Sequence, residues 1–262
     1  MVIIMENINT YSKKERNMFL TGMFGQNMIY NVVTVGLYYY FQNVICLPAI
    51  AFGWIFAIAR IWDAINDPMM GSIVDKTRTK WGKCRPYLIF SPIVICVITI
   101  VAFFNGNYAN AKANGNKTAM IFIVAWAAIS YVLWGMSYTV GDIPLWGIIS
   151  RITESEKDRS SLISLSRIIA SIGAGLVVIS IVAVSQSLNS AFGLDTNAQK
   201  GFIVAAIIIT IIGSALFECA GTGTKERVPN GSETKTMKES FALDAFNILL
   251  LQGQPHLCVY KA

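Results

Sequence analysis

Residues 86–104 read PYLIFSPIVICVITIVAFF, nineteen consecutive residues without a charged side chain. A membrane-spanning helix needs about 20 predominantly apolar residues, so this stretch is long enough to cross a bilayer. Comparable apolar stretches lie near residues 18–45, 48–74, 118–150, 162–188 and 200–220. We therefore predict an all-α polytopic membrane protein with six transmembrane helices.

The composition excludes most other classes of protein. Of the 262 residues, 54% are apolar and 14% are charged, and the mean hydropathy is +0.53. A soluble domain carries about 25% charged residues, so neither a soluble globular domain nor a disordered chain fits these values. The five cysteines are scattered and there is one histidine, which leaves no metal-binding motif. We predict no cofactor and no enzymatic activity, because no nucleophile–base set is visible.

The basic residues predict the orientation of the chain. With the N-terminus in the cytoplasm, fifteen Lys and Arg residues fall on the cytoplasmic side and three fall outside. This bias explains the net charge of +6 without a nucleic-acid partner. We expect a multi-pass protein of the cell's inner (plasma) membrane. The three outer residues are Lys112, Lys117 and Lys200.

Four regions follow from this pattern. Residues 1–17 are expected to form a cytoplasmic N-terminus without a cleaved signal peptide, and residues 18–220 the six-helix bundle. Residues 221–240 are polar and read as a cytoplasmic linker. Residues 241–262 form an anomalous tail, whose apolar run of about ten residues is too short to span a membrane.

The second predicted helix carries charges at membrane depth. Asp63 and Asp67 are spaced i, i+4, and we expect Arg60 and Asn66 to lie on the same side. Two carboxylates one turn apart in a membrane require a positive partner. A small hard cation bound by oxygen ligands would serve, as would a shared proton. The alternative is a static ion pair with Arg60 and Arg167 that fixes helix packing.

Asp142 and Trp146 repeat this spacing in the fourth predicted helix. A carboxylate accepts hydrogen bonds from hydroxyl groups, and an indole stacks on the apolar face of a sugar ring. Trp146 alone is equally typical of an interfacial aromatic belt. Thr139 adds a hydroxyl group one turn before Asp142, although such a hydroxyl often bonds its own helix.

Polar residues in two other helices allow two interpretations each. Arg167 in the fifth helix would pair with Asp142 or Asp63, or extend its side chain to the cytoplasmic surface. Gln26 and Asn27 in the first helix would bind sugar hydroxyls or hold helices together.

Two long runs resemble one transporter family. Residues 59–86 (ARIWDAINDPMMGSIVDKTRTKWGKCRP) and 131–146 (YVLWGMSYTVGDIPLW) make the chain similar to the glycoside–pentoside–hexuronide:cation symporters. This is the melibiose permease family of the major facilitator fold. The resemblance covers about residues 19–227. The pattern Arg-x-x-Asp-x-x-x-Asp-Pro is a hallmark of the family, and the segment from Gly71 to Lys76 resembles the major facilitator gating motif.

The resemblance implies roles for individual residues. The cation site would consist of Asp63, Asn66, Asp67 and Thr139. The sugar site would consist of Tyr138, Asp142, Trp146 and Arg167, together with Gln26 and Asn27, which stand where melibiose permease has a lysine and an aspartate. A charge network and gate would include Arg60, Gly71, Asp75, Lys76 and Arg78. The coupling cation would be Na⁺, Li⁺ or H⁺, with Na⁺ expected here, and the sugar is expected to differ from melibiose.

Family members are about twice as long as this chain and have two six-helix halves. We therefore expect the N-terminal half of a cation-coupled sugar symporter, with the 241–262 tail reflecting a truncated or frameshifted product. A separate C-terminal half is then an expected partner. The alternative function is a non-transporting membrane sensor or assembly partner that lacks the second half.

Overall fold

The computed structural model describes residues 10–192 and 199–227. Within these ranges the chain is helical, and its β-structure is one isolated bridge between Thr79 and Gly82. The predicted all-α class is confirmed. The expected tail at 241–262 and most of the expected linker lie outside the described residues.

The described residues form eight α-helices, six of them long. The first, α1, continues past Asn31 through π-helical turns at Val32–Leu37 and Tyr40–Val44. The helices are α1 Lys13–Asn31, α2 Ala49–Lys76, α3 Arg85–Phe103, α4 Tyr108–Ala113, α5 Lys117–Gly147, α6 Ile149–Ile152, α7 Glu156–Phe192 and α8 Gln199–Gly223.

Five stretches in the described ranges contain a helix long and apolar enough to cross a membrane. They begin at Ala49, Arg85, Lys117, Glu156 and Gln199. The first predicted span, 18–45, is helical as expected but more polar than the others. Its helix starts on Lys13-Lys14-Glu15-Arg16, and the regular α-helix gives way to π-helical turns after Asn31. Six long helices are therefore present in the described ranges, and the first of them is less apolar than the other five.

Two segments expected to be loops are partly helical. The 105–117 connection contains α4, which Asn107 caps through its side chain. The charged 151–161 segment contains the start of α7, six residues before the predicted start at 162. Glu156 and Asp158 lie in the first turn of α7, where negative side chains interact favourably with the helix dipole.

Small residues allow α1 to pack closely against α8. A Cβ atom on Gly25 would lie 2.4 Å from the carbonyl oxygen of Gly213, so only glycine fits at this crossing. Close approach through small residues is typical of membrane helix pairs. α1 also packs against α7, whereas α5 packs against α2 and α3.

The buried side chains form two clusters. One surrounds Tyr40, Phe103 and Phe202, and the other surrounds Phe19 and Phe217. Many large apolar side chains instead point outward, and a surface this apolar marks contact with a membrane. Together with the apolar helices, this supports a multi-pass membrane protein.

Candidate functional site

A cavity of about 200 Å³ lies between α2 and α5, with Tyr30 of α1 at its wall. Three carboxylates line it: Asp63 and Asp67 from α2 and Asp142 from α5. The structure thus brings together residues that the sequence placed on two separate helices. Such a grouping of acidic groups inside a helix bundle is costly and typical of a functional site.

Asp67 and Thr139 join α2 to α5. The Thr139 hydroxyl lies 3.0 Å from Asp67 Oδ1 and 3.0 Å from the carbonyl oxygen of Gly135. Because a hydroxyl group has one hydrogen, it donates to one of these acceptors at a time. Thr139 is 6% exposed, so this oxygen faces the cavity rather than bulk solvent.

Asp63 lies against a glycine of α5. A Cβ atom on Gly135 would be 3.1 Å from Asp63 Oδ1, so the missing side chain provides space for the carboxylate. On its other side, Asp63 Oδ2 lies 3.8 Å from the Arg60 guanidinium, whose side chain is 66% exposed. This pair is long and solvated, which makes it a weak ion pair.

Asp142 belongs to a hydrogen-bonded chain that begins on α1. The side-chain amide of Gln26 donates to Asp142 Oδ1 at 2.7 Å and to the hydroxyl oxygen of Tyr138. Asn27 donates to Gln26 Oε1 at 2.7 Å and also to the carbonyl oxygen of Met23. Gln26 is 2% exposed, and its hydrogen bonds both link α1 to α5 and orient the Asp142 carboxylate.

Aromatic rings form one wall of the cavity, and sequence reasoning missed most of them. Trp134 and Tyr138 stack with ring centroids 5.0 Å apart, and Tyr30 lies 5.2 Å from Tyr138. Tyr131 also stacks on Trp134, with ring centroids 6.1 Å apart. The signal was present, since Trp134, Tyr138 and Asp142 recur at intervals of four and therefore share one face of α5.

Trp134 is held from behind by α3. Its indole N–H donates to the hydroxyl oxygen of Thr99 at 3.1 Å, and Thr99 is completely buried. The ring plane is therefore fixed along the cavity wall rather than free to rotate.

Asn66 points away from this cavity. Its side chain lines a second cavity between α2, α3 and α5, and its Nδ2 atom is buried without a hydrogen-bond partner among the described residues. A helix turns by about 100° per residue, so Arg60 and Asn66 lie on opposite flanks of the Asp63–Asp67 stripe. The expectation that both share the side of Asp63 is corrected accordingly.

Trp146 interacts with Arg167 of α7 and with Asp142, which lies one turn earlier in α5. The Arg167 guanidinium carbon lies 5.3 Å from the centroid of the Trp146 ring, in a cation–π contact. In the described part of the chain, Arg167 forms no ion pair with Asp63 or Asp142. Neither Trp146 nor Arg167 lines the carboxylate cavity.

The expected gating residues lie at the other end of α2. Asp75 pairs with Arg151 at 3.6 Å, which ties α2 to α6. Lys76 and Arg78 are exposed, and a Cβ atom on Gly71 would meet no atom within 4 Å. Of this group, Asp75 is therefore the residue whose ion pair connects two helices.

A carboxylate that sequence reasoning missed caps α3. Glu226 follows α8 and accepts hydrogen bonds from the backbone N–H groups of Lys83, Cys84 and Arg85, at 2.7–3.1 Å. Gly82 has φ of +108°, and a Cβ atom there would lie 2.4 Å from the Glu226 carboxyl carbon. The negative charge satisfies the free N–H groups of the helix N-terminus.

The next residue extends this contact to α1. The Arg227 guanidinium donates to both carboxylate oxygens of Glu15 at 2.7 and 2.8 Å, and its backbone N–H donates to the carbonyl oxygen of Arg151. Partial burial alone would raise the pKa of Glu15, but hydrogen bonds from Ser12 and Arg227 hold it below its ordinary value. Glu226 and Arg227, the 226–227 clasp, thus join four segments at one end of the bundle.

Comparison with known proteins now identifies the family. A family model described as MFS/sugar transport protein matches residues 18–250. The chain belongs to this family. The predicted resemblance to symporters of the major facilitator fold is confirmed, and the described helices correspond to its N-terminal half.

Similar curated proteins are transporters rather than enzymes. The chain is 29% identical over 248 residues to the uncharacterized symporter YnaJ of Bacillus subtilis, covering 94% of this chain and 50% of that protein. It is 28% identical over 244 residues to the isoprimeverose transporter of Lactiplantibacillus pentosus, covering 93% and 48%. It is 30% identical over 190 residues to the lactose permease of Leuconostoc lactis, covering 71% and 29%. The chain therefore spans about half or less of the length of these relatives.

Proposed function

We propose that this chain forms the N-terminal half of a cation-coupled sugar symporter. The observation that carries this proposal is the single cavity lined by Asp63, Asp67 and Asp142 and walled by aromatic rings. Carboxylates supply cation ligands and hydroxyl acceptors, and aromatic faces supply stacking surface for a sugar ring. The family supports the transport function itself.

The cation would bind between α2 and α5. Asp63, Asp67 and the Thr139 hydroxyl offer oxygen ligands, and Thr139 already lies 3.0 Å from Asp67. Hard cations prefer such ligands, and a bound positive charge offsets the cost of two carboxylates at membrane depth. We favour Na⁺ as the coupling ion, with Li⁺ and H⁺ as the alternatives to test.

The sugar would bind beside Asp142. Gln26 and Tyr138 orient this carboxylate, which leaves it positioned to accept a sugar hydroxyl. Trp134 presents a fixed ring to the same cavity. The named relatives carry isoprimeverose and lactose, so we propose a glycoside as the substrate class. Asn27 contributes through Gln26. Trp146 interacts with the Asp142 carboxylate and Arg167 packs over the Trp146 ring, so both would contact the sugar at the edge of the site.

Coupling follows from the shared cavity. A cation at Asp63 and Asp67 changes the field at Asp142, so each ligand alters the affinity of the other. This coupling is reciprocal, because binding free energies are linked. Transport by alternating access then requires a second repeat facing the cavity, consistent with the chain spanning about half of its first two relatives. We place the N-terminus in the cytoplasm on the distribution of Lys and Arg.

The test is binding of labelled isoprimeverose, lactose and raffinose to the chain in lipid nanodiscs, with Na⁺, Li⁺ or choline as the cation and at two pH values. We expect one sugar to bind more tightly with a coupling cation than with choline. Sugar binding that is identical in choline and in every coupling cation would contradict symport. If the chain binds a cation but none of these glycosides, the proposed substrate class is wrong.

A further inference from the structure

A second cavity, of about 520 Å³, lies between α2, α3 and α5 and is separate from the carboxylate cavity. Its volume is within the range of roughly 300–1,000 Å³ that is typical of small-molecule sites. Its walls include Phe90, Val94 and Leu133, whose side chains are 58%, 49% and 47% exposed. Apolar walls that are half exposed show that the cavity opens onto the apolar outer surface of the bundle.

Two polar atoms lie in these apolar walls. Asn66 Nδ2 and Ser91 Oγ are both buried and have no hydrogen-bond partner among the described residues. Buried polar groups in native proteins are nearly always satisfied, so an occupant of the cavity should supply acceptors. A pure hydrocarbon has no hydrogen-bond acceptor, whereas a phospholipid has two ester carbonyl groups that accept hydrogen bonds.

The rim of the cavity is built like a membrane interface. Tyr87 lines the cavity, and its hydroxyl lies 2.6 Å from the Thr77 hydroxyl in the loop between α2 and α3. In the same loop, Trp81 stacks on Phe90 with ring centroids 6.3 Å apart, although Trp81 is itself 52% exposed. Tryptophan is enriched where a membrane protein meets lipid headgroups.

The rim also carries positive charge that the described protein does not neutralise. Lys76 and Arg78 flank Thr77, and Lys80 precedes Trp81. All three are exposed, and none forms an ion pair within residues 10–192 and 199–227. Consecutive Cα atoms are about 3.8 Å apart, so these side chains lie within reach of the rim. Basic groups beside a cleft between membrane helices are suited to anionic headgroups.

We propose that this cavity is a binding site for an anionic phospholipid. An acyl chain would lie along Phe90, Val94 and Leu133, and an ester carbonyl group would accept a hydrogen bond from Ser91, which is nearer the rim than Asn66. The phosphate would contact Arg78 and Lys80. A zwitterionic lipid satisfies the apolar walls but gains less from the basic rim. This site does not depend on the proposed transport function, because it uses a different cavity.

The test is native mass spectrometry of the 262-residue chain in detergent, titrated with phosphatidylglycerol or phosphatidylcholine of identical acyl chains. We expect phosphatidylglycerol to bind more tightly by roughly tenfold, given the contribution of each basic residue near an anionic headgroup. The double variant Arg78→Gln/Lys80→Gln should reduce this preference to near unity. The matched control, Lys112→Gln/Lys117→Gln, removes two charges at the opposite ends of the helices and should retain it.

A second pair of variants tests the cavity. Val94→Trp fills it and should abolish binding of both lipids, whereas Val97→Trp should not, because Val97 is 55% exposed on the same helix but does not line the cavity. Leu133→Trp with Ile129→Trp as its control repeats the comparison on α5 if the first variant does not fold. Equal binding of the two lipids by the parent chain would overturn the proposal. Phosphatidylglycerol binding that survives both cavity-filling variants would indicate that the headgroup contacts the loop alone. The absence of any lipid adduct would indicate that protein covers the cavity. Either result would also overturn the proposal.

Discussion

The side-chain amide of Gln26 on α1 donates a 2.7 Å hydrogen bond to the carboxylate of Asp142 on α5. Gln26 is nearly fully buried, and its amide also donates a hydrogen bond to the hydroxyl oxygen of Tyr138. A neutral amide therefore orients the acidic group proposed to contact the sugar, without neutralising it. This arrangement keeps the charge of Asp142 available as a strong acceptor for a substrate hydroxyl.

Gln26→Leu should weaken sugar binding more than cation binding. The change removes the donor to Asp142 and leaves the carboxylate unoriented. A hydrogen bond to a charged group contributes roughly 1.5–3 kcal/mol, which corresponds to a loss of about tenfold or more in affinity. Binding of labelled lactose and isoprimeverose to Gln26→Leu and to the conservative Gln26→Asn measures the effect. An unchanged dissociation constant in Gln26→Leu would exclude the orienting role.

Asp142→Asn should produce a comparable loss by a different route. The amide keeps the shape of the side chain but removes the charged acceptor, so we expect at least about a tenfold drop in sugar affinity. Cation affinity should change less, because Asp63 and Asp67 remain. The measurement is the sugar dissociation constant at saturating Na⁺. Equal sugar affinity in Asp142→Asn and in the parent chain would count against direct contact.

The stacking of Asp63 and Asp67 was predictable because helical periodicity is a local property. The stripe of Trp134, Tyr138 and Asp142 on α5 follows the same rule and was open to the same inference. The orientation of Asn66 was not predicted, because a residue three positions along a helix lies about 60° away from the starting residue. Asn66 therefore faces the second cavity, which α3 and α5 line, and not the carboxylate cavity.

Contacts between distant parts of the chain were not predictable from the sequence. Glu226 caps α3 across more than 140 residues, and Arg227 reaches Glu15 across 212. Nothing in the local pattern near residue 226 distinguishes this carboxylate from a solvated linker residue, since its partners are backbone N–H groups. Similarly, Arg167 has two acidic residues available as partners by sequence, yet helix packing places it over Trp146.

Asp67→Cys should abolish the stimulation of sugar binding by Na⁺ while leaving some sugar binding. Asp67 accepts from Thr139 at 3.0 Å and supplies one of two carboxylates to the proposed cation site. Thr139→Val, which removes one oxygen ligand but no charge, should weaken Na⁺ affinity to a smaller extent. The measurement is sugar affinity as a function of Na⁺ concentration. If Na⁺ still raises sugar affinity in Asp67→Cys as in the parent, the cation site is assigned wrongly.

Gly135→Ala should weaken cation binding without destabilising the fold. The added Cβ atom would lie 3.1 Å from Asp63 Oδ1 and displace the carboxylate by a few tenths of an ångström. Gly53→Ala on α2 is the matched control, because a Cβ atom there meets nothing within 4 Å. Replacing glycine by alanine stabilises a helix by up to about 1 kcal/mol, so the thermal unfolding midpoint should not fall in the control. Equal Na⁺ affinity in the two variants would show that Gly135 does not shape the site.

The ion pair between Glu15 and Arg227 should stabilise the bundle in a pH-dependent manner. The hydrogen bonds to Glu15 lower its pKa from the ordinary value of 4.5 despite partial burial. A lowered acidic pKa gives stability that is present above the unfolded-state value and is lost as the pH falls through the folded-state value. Arg227→Gln should therefore lower the thermal unfolding midpoint at pH 7, and lower it by less at pH 3. A difference between the two proteins that is equally large at both pH values would show that the ion pair is not the cause.

The cysteines offer a test of orientation and of the 226–227 clasp together. Cys46 is exposed between α1 and α2, whereas burial and the nearby Glu226 carboxylate raise the pKa of the Cys84 thiol to about 12. Only the thiolate reacts rapidly, so Cys84 should resist maleimide at neutral pH and Cys46 should react.

With the N-terminus in the cytoplasm, a chain that keeps only Cys46 should be labelled in intact cells by a membrane-impermeant maleimide. A chain that keeps only Cys84 should remain unlabelled even in opened membranes, until Glu226→Gln loosens the cap and raises its reactivity. Labelling of Cys46 only after the membranes are opened would reverse the orientation, and rapid labelling of Cys84 in the parent chain would contradict the clasp.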